Sequence, residues 1–131
     1  EYLKGLLQDD NIQWDGYSDN IKKELELCNI YCLPSYREGL PKSIVEAMAI
    51  GRPIITTNAP GCDDCVIEGY NGYKINPGDY KKLSLTLLEL LENNGLCLSM
   101  GKNSRQFFEK GFTIEKVVDE TFYFYDQMLN L

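Results

Sequence analysis

The stretch Tyr31–Thr57, YCLPSYREGLPKSIVEAMAIGRPIITT, constrains this chain more than any other part of it. A short apolar run, Ile30 to Leu33, lies between Asn29 and Pro34. A polar loop with glycine and proline follows, from Pro34 to Pro41. Lys42 to Ile50 has a helical pattern and is stopped by Gly51, and a second apolar run, Pro53 to Thr57, closes the unit. Strand, loop, helix and strand within about 30 residues make a βαβ unit, whose strands are parallel and whose connection is right-handed. Ligands of open α/β sheets sit beyond the carboxyl ends of the strands, near helix N-termini. The loop with Glu38, Gly39 and Leu40 is therefore the expected site.

The helix of this unit is the unusual part. Pro41 suits the first helical position, where a missing N–H costs nothing. At about 100° per residue, Ile44, Val45, Ala47, Met48, Ala49 and Ile50 surround most of the axis, which predicts a largely buried helix. Lys42 and Glu46 share the one polar sector. A carboxylate on such a helix needs a donor. Two readings stay open: a Lys42–Glu46 pair on a narrow exposed stripe, worth a few tenths of a kcal/mol, or a carboxylate that accepts hydrogen bonds from ligand hydroxyls.

Around that unit, Glu1 to Asp9 reads as the tail of a helix with Tyr2, Leu3, Leu6 and Leu7 inward. Ile12 to Trp14 is expected as a short strand, with a turn at Asp15-Gly16-Tyr17 and a cap from Ser18 or Asp19 on a helix whose inward stripe is Ile21, Leu25 and Cys28. After Thr57, a loop holds Pro60 and Gly61, Asp63 to Ile67 forms a short helical turn, and Tyr73 to Ile75 is the last strand. Asp79 caps a helix from Tyr80 to Glu92 with Leu83, Leu87, Leu88 and Leu91 inward, and Gly95 is read as its stop. A further helix covers Leu96 to Lys110, with Met100, Phe107 and Phe108 apolar. Thr113 caps the last one, Ile114 to Leu129, with Phe112 and Val117 at staple positions. Its run Phe122-Tyr123-Phe124-Tyr125 is apolar on more than one side and is read here as a wide core-facing surface, against the alternative of a partner surface. Strands at 12–14, 30–33, 53–57 and 73–75 add up to a small parallel sheet with flanking helices, an α/β, Rossmann-like fold in a single domain spanning residues 1–131.

Charge and cysteines narrow the function. The net charge is −7 with no histidine, which argues against a nucleic-acid footprint or a polybasic membrane surface. No apolar run has the length of a membrane span. The chain opens on Glu1 inside a helical pattern, which suggests a fragment. Of five cysteines, Cys28 and Cys32 read as small buried hydrophobes. Cys62 and Cys65 form a C-x-x-C without the second ligand pair of a zinc site, and no metal is expected. The odd count favours a reducing, cytoplasmic setting.

The chemistry follows from the loop–helix junction. The N–H groups of Gly39, Leu40 and Lys42 converge on a helix start, which carries partial positive charge and unpaired donors and so suits a diphosphate. Glu46 lies about one and a half turns further on, roughly 7 Å along the axis. That spacing suits a ribose whose phosphates sit at the helix end, and places Glu38 at the sugar beyond them. A hydrolase dyad of the two glutamates is the poorer reading, since one lies within a helix in an anion-friendly setting.

Glu38 and Glu46 stand in the setting S-x-x-E-G-x-P-x-x-x-x-E-A-M-A-x-G-x-P-I-I. This resembles the E-x7-E region of the retaining GT-B glycosyltransferases usually called family 4, and the likeness extends over Ile12–Gly16 and Ala59–Asp79. The resemblance implies transfer of a sugar from a nucleotide diphosphate sugar with retention of configuration, without metal or other cofactor. It implies Glu38 at the donor sugar as the catalytic residue, Glu46 on the ribose hydroxyls, and Tyr17 and Ser18 near the base. A UDP-sugar is favoured over a GDP-sugar, with a lipid-linked or saccharide acceptor. The family's upstream Arg and Lys, which neutralise the diphosphate, have no match here, since Lys4 lacks the context, and the acceptor-binding N-terminal domain is expected to be absent. Loss of a charged phosphate clamp costs a few kcal/mol of binding, so the isolated chain is expected to be inactive and to bind nucleotide weakly. The alternatives are a GT-B epimerase or phosphorylase, and a non-catalytic α/β interaction module docking through Phe122–Tyr125.

Overall fold

A computed structural model describes residues 5 and 9–129. The expectations for Tyr2, Leu3, Leu6 and Leu7 lie outside the described residues. The elements, in order, are α1 (Ile21–Leu27), β1 (Tyr31–Leu33), α2 (Lys42–Ala49), β2 (Ile54–Thr57), a 3-10 turn (Asp63–Cys65), β3 (Gly72–Ile75), α3 (Tyr80–Glu92), α4 (Asn94–Gly111) and α5 (Ile114–Leu129). The sheet is parallel in the order β1-β2-β3, with Leu33 opposite Thr56 and Thr57 opposite Ile75. Among the described residues it has three strands rather than the expected four. Ile12 to Trp14 is not a strand: the Ile12 amide is spent on the Asp9 carbonyl, and Ile12 and Trp14 are exposed. A strand exists through its ladder, and no described segment pairs with this one.

The central strand β2 divides the core. All four of its residues are buried, and because side chains alternate across a strand, Ile54 and Ile55 face opposite layers. Ile54 packs with Leu25, Ile44, Ala47, Met48, Cys65 and Val66. Ile55 packs with Leu90 and Met100. Helix α2 is buried through Ile44, Ala47 and Met48, as its pattern requires, and Lys42 and Glu46 remain exposed. Among the described residues the two make no ion pair, so the first of the two readings is not what the structure adopts.

Several local expectations are corrected. The cap of α1 is Asn20, whose side chain accepts from the Lys23 amide, while Ser18 and Asp19 precede it. Ile21 is exposed and Cys28 only half-buried, as is Cys32; Leu25 alone carries the inward stripe. In α3 the inward positions are Leu83, Thr86, Leu87 and Leu90, with Leu88 and Leu91 exposed. The helix is so rich in leucine that its period left the face undetermined, and Thr86 settles inward because its hydroxyl donates to the Lys82 carbonyl, 2.8 Å away. Gly95 does not stop α3; it lies in the first turn of α4, and Asn93 serves as the end of one helix and the side-chain cap of the next. Phe112 makes an edge-on contact with Phe107, 5.3 Å between ring centres, and Val117 stays exposed, so the expected staple is not formed. Finally, α5 has no buried residue. Its aromatic run is an exposed surface and not a core face. Among the described residues no helix is long and apolar enough to cross a membrane.

Candidate functional site

The loop between β1 and α2 leaves the sheet at its carboxyl edge and is held there from below. Two buried threonines at the end of β2 reach across: the Thr56 hydroxyl donates to the Leu33 carbonyl at 2.9 Å, and the Thr57 hydroxyl donates to the Ser35 carbonyl. Ser35 in turn donates its hydroxyl to the Glu38 carboxylate, and the Glu38 amide donates to the Pro60 carbonyl at 3.2 Å. The half-buried Glu38 is thus fixed by side chain and backbone together.

Gly61 makes that arrangement possible. Its φ is +81°, and a Cβ there would lie 1.8 Å from the Gly39 carbonyl oxygen and 2.5 Å from that of Glu38. Only a residue without a side chain lets the loop after β2 press against the loop after β1. Gly39 itself has nothing within 4 Å of a notional Cβ. Its side faces open space, and the packing glycine is Gly61, which the sequence reading had placed only as part of a loop.

The backbone donors of this junction are unpaired. Among the described residues, the N–H groups of Gly39, Leu40 and Lys42 find no protein acceptor, whereas those of Ile44 and Val45 already bond back to Pro41. Lys42 is an orphan donor of the helix start, and Gly39 and Leu40 lie in the loop just before its cap, Pro41. Leu40 is 57% exposed and Lys42 is exposed.

Glu46 sits on the open face of α2, where it shares a hollow of about 310 Å³ with Ile21 and Lys22 at the start of α1 and with Arg105 of α4. Tyr17 and Ser18 come immediately before that helix. Tyr17 is 91% exposed. The Ser18 hydroxyl is engaged locally, donating to Glu24 at 3.1 Å and accepting from the Asn20 amide. The structure therefore groups Glu38, Gly39, Leu40 and Lys42 in one loop–helix junction and puts Glu46 beside the start of α1, while the Tyr17 side chain has no hydrogen-bond partner among the described residues. Behind α2, burial pushes the Tyr31 phenol up, the Ser43 hydroxyl partly offsets this, and the charges of Cys32 and Glu46 add smaller increments. Tyr31 stays a neutral hydroxyl at neutral pH.

Arg52 is a second supporting residue that the sequence reading did not single out. Its guanidinium donates to the carbonyls of Leu25 and Glu26 at 3.0 and 2.9 Å. It thereby satisfies the end of α1, which has no basic residue in its last turn, and ties that helix to the entry of β2. Cys62 and Cys65 are both fully buried. Burial pushes the Cys65 thiol up to about 11, with the charges of Asp64 and Cys62 adding to it. Such a thiol is inert, and the pair acts as packing beneath the loop that carries Gly61.

A junction of this kind offers unpaired N–H donors for an anion, a fixed carboxylate beside them in the loop, and a second carboxylate on the helix that follows, for hydroxyls. The family model described as "Glycosyl transferases group 1" matches residues 1–107. The chain is 35% identical over 95 residues to the N,N'-diacetylbacillosaminyl-diphospho-undecaprenol alpha-1,3-N-acetylgalactosaminyltransferase of Campylobacter jejuni, covering 72% of this chain and 25% of that protein. Among solved structures, it superposes on Anabaena HepE in complex with UDP with a TM-score of 0.84 at 22% identity, over 99% of this chain and 37% of the other. It superposes on a sucrose-phosphate synthase from Thermosynechococcus elongatus with a TM-score of 0.88 at 25% identity, over 98% of this chain and 34% of the other. The chain thus spans about a quarter of the curated relative and about a third of each solved structure.

Proposed function

The chain belongs to the glycosyl transferases group 1, and on that premise we propose that it forms the donor-binding half of an enzyme that transfers a hexosyl unit from a nucleotide diphosphate sugar, with retention of configuration. The single observation that carries this reading is the split between its two glutamates. Glu38 is fixed in the loop by Ser35 and Pro60 beside free backbone donors, and Glu46 is exposed on the helix that follows, without an ion-pair partner among the described residues. In this reading the N–H groups of Gly39, Leu40 and Lys42 bind the diphosphate, Glu46 accepts from the ribose hydroxyls, and Glu38 faces the transferred sugar. Tyr17 and Ser18, which lead into the helix beside Glu46, border the base. The base is uracil; the UDP in the Anabaena neighbour supports that choice. No metal or further cofactor has a role in this scheme.

A further, N-terminal domain would supply the opposite wall of the cleft and with it most, though not all, of the acceptor side. A lipid-linked diphosphate saccharide is the proposed acceptor, supported by the diphospho-undecaprenol named for the Campylobacter relative. The reaction would then take place in the cytoplasm, at the inner face of the membrane. All five cysteines are free thiols, which suits a reducing compartment. The exposed face of α5 favours a second reading, an α/β module that docks through that helix.

Calorimetric titration with UDP and with GDP tests the donor reading. UDP is expected to bind more tightly than GDP. Glu46→Ala is expected to weaken UDP by about tenfold or more, the loss of hydrogen bonds to a charged group, with an unchanged unfolding midpoint because Glu46 is exposed. Equal UDP affinity in the two proteins would remove Glu46 from the ribose, and tighter GDP binding would reverse the base assignment.

A further inference from the structure

A second hollow, of about 300 Å³, opens at the carboxyl edge of the sheet on the α3 side. It is lined by Pro34 and Tyr36 after β1, by Ile75 at the end of β3, and by Asp79, Tyr80 and Leu83 at the start of α3. Ile75 is 3% exposed and Leu83 half-buried, so its floor is core, whereas Tyr36 and Tyr80 are 74% and 73% exposed. These two large aromatic side chains stand open to solvent at the rim of a formed cavity.

The turn before α3 is shaped around Tyr36. Gly78 has a φ of +82°, and the Tyr36 hydroxyl lies 3.5 Å from where a Gly78 Cβ would be. The Asp79 carboxylate uses one oxygen to cap α3, accepting from the Lys82 amide at 2.9 Å. Its other oxygen has no hydrogen-bond partner among the described residues and remains available as an acceptor. The hollow thus combines aromatic walls, an apolar floor and one hydroxyl acceptor. Its size is that of the smaller ligand pockets, about 300 Å³. The carboxylate disfavours an anion. Aromatic walls favour a ring with an apolar face, and the free oxygen favours hydroxyl groups on its rim. A pyranose has both.

We propose that the hollow between Tyr36 and Tyr80 is a saccharide subsite that takes one neutral pyranose ring of the acceptor. Tyr36 belongs to the same loop as Glu38, so a ring held here lies at the edge of the junction where the donor sugar is placed. The inference rests on the sugar-transfer reading, which supplies a saccharide as the occupant. Tyr80 is the clean probe, because it sits on α3, away from the loop that fixes Glu38.

The test is a ligand-detected NMR titration of this chain with methyl α-glucopyranoside, methyl α-galactopyranoside and their 2-acetamido counterparts, each up to about 100 mM. UDP affinity is measured separately by calorimetry. At least one glycoside is expected to bind with a dissociation constant on the order of millimolar, as suits so few contacts. Tyr80→Ala is expected to weaken it by about fivefold or more, and Tyr80→Phe, which keeps the ring, to retain it. The urea midpoints of both variants should match the parent, since Tyr80 is exposed. Glycoside binding that is equal in Tyr80→Ala and the parent overturns the subsite, as does the absence of binding by any of the four. UDP binding without glycoside binding overturns the subsite and leaves the donor reading standing. Glycoside binding that depends on Tyr80, without UDP binding, sinks the donor reading and supports the subsite.

Discussion

Helices α2 and α5 carry similar apolar patterns and meet opposite fates. The shorter, α2, has Ile44, Ala47 and Met48 fully buried. The longer, α5, is begun by Thr113, which accepts from the Lys116 amide at 3.3 Å, and continues for 16 residues with none of them buried. Periodicity and capping decide whether a segment is a helix. Whether its apolar side becomes core depends on what the chain places opposite. Strands β1 and β2 bracket α2 and press it on the sheet, while α5 leaves the end of α4 past the Phe107–Phe112 contact and buries none of its described side chains. An apolar face left open in this way has the character of partner surfaces, and sedimentation is the measurement that decides whether this one is adhesive.

The sharpest way to break this comparison is Gly61→Ala. One methyl group on the supported side of the molecule would have to enter space held by the Gly39 and Glu38 carbonyls, at a positive φ. The expected loss is roughly 2–4 kcal/mol, from overpacking and backbone strain of about 1–3 kcal/mol each, read as a lowered urea midpoint. UDP affinity should fall with it, because the displaced loop is the one that carries the Gly39 and Leu40 donors assigned to the diphosphate. A midpoint within experimental error of the parent would mean that the two loops do not press on each other.

The sequence made the βαβ unit legible because its punctuation is strong. Asn29, Pro34, Pro41 and Gly51 bound the elements almost to the residue, and Asp79 and Thr113 mark true helix starts. The junction of Glu38, Gly39, Leu40 and Lys42, with Glu46 on the helix that follows, was legible for the same reason, since all five lie in that unit. What supports the junction was not. Thr57 to Ser35 and Gly61 to Gly39 are contacts between loops distant in sequence, and no local pattern encodes them, although a polar Thr56-Thr57 pair ending a buried strand is a usable hint that its hydroxyls have partners. Ile12 to Trp14 failed as a strand because pairing is a property of two segments. The inward face of α3 failed because too many leucines fit the same period. The burial of α5 failed because a wide apolar face says nothing of what covers it.

A smaller effect distinguishes the buried side through pH. The Cys65 thiol is raised from 9.0 to about 11, chiefly by burial. Between these values the unfolded chain has released the proton and the folded chain keeps it, so the folded state binds more protons and stability falls as pH rises through this window. Below about 9 the thiol is protonated in both states and contributes no slope. Cys65→Ala should flatten the fall between pH 9 and 11 in a series of denaturation midpoints. Some slope should persist, because the thiols of Cys28, Cys32 and Cys97 are also raised by burial. An unchanged slope would show that Cys65 reaches solvent.

The smallest expected effect on stability lies in α5, and its smallness is the point. Phe122 and Phe124 are 65% and 61% exposed, so replacing both with serine removes little area from a folded interior. Each change should alter stability by no more than about 0.5 kcal/mol, as surface substitutions do. Association should respond instead. If the open face of α5 is adhesive, sedimentation of the parent chain will shift with concentration, and the double variant will shift less at the same midpoint. A loss of about 2 kcal/mol or more from Phe122→Ser and Phe124→Ser together would be the cost of emptying a core, not of trimming a surface. It would place α5 against the rest of this chain in solution and erase the contrast with α2. Unchanged stability and unchanged sedimentation would keep the contrast while denying that the face recruits a second copy, leaving a different domain as its partner.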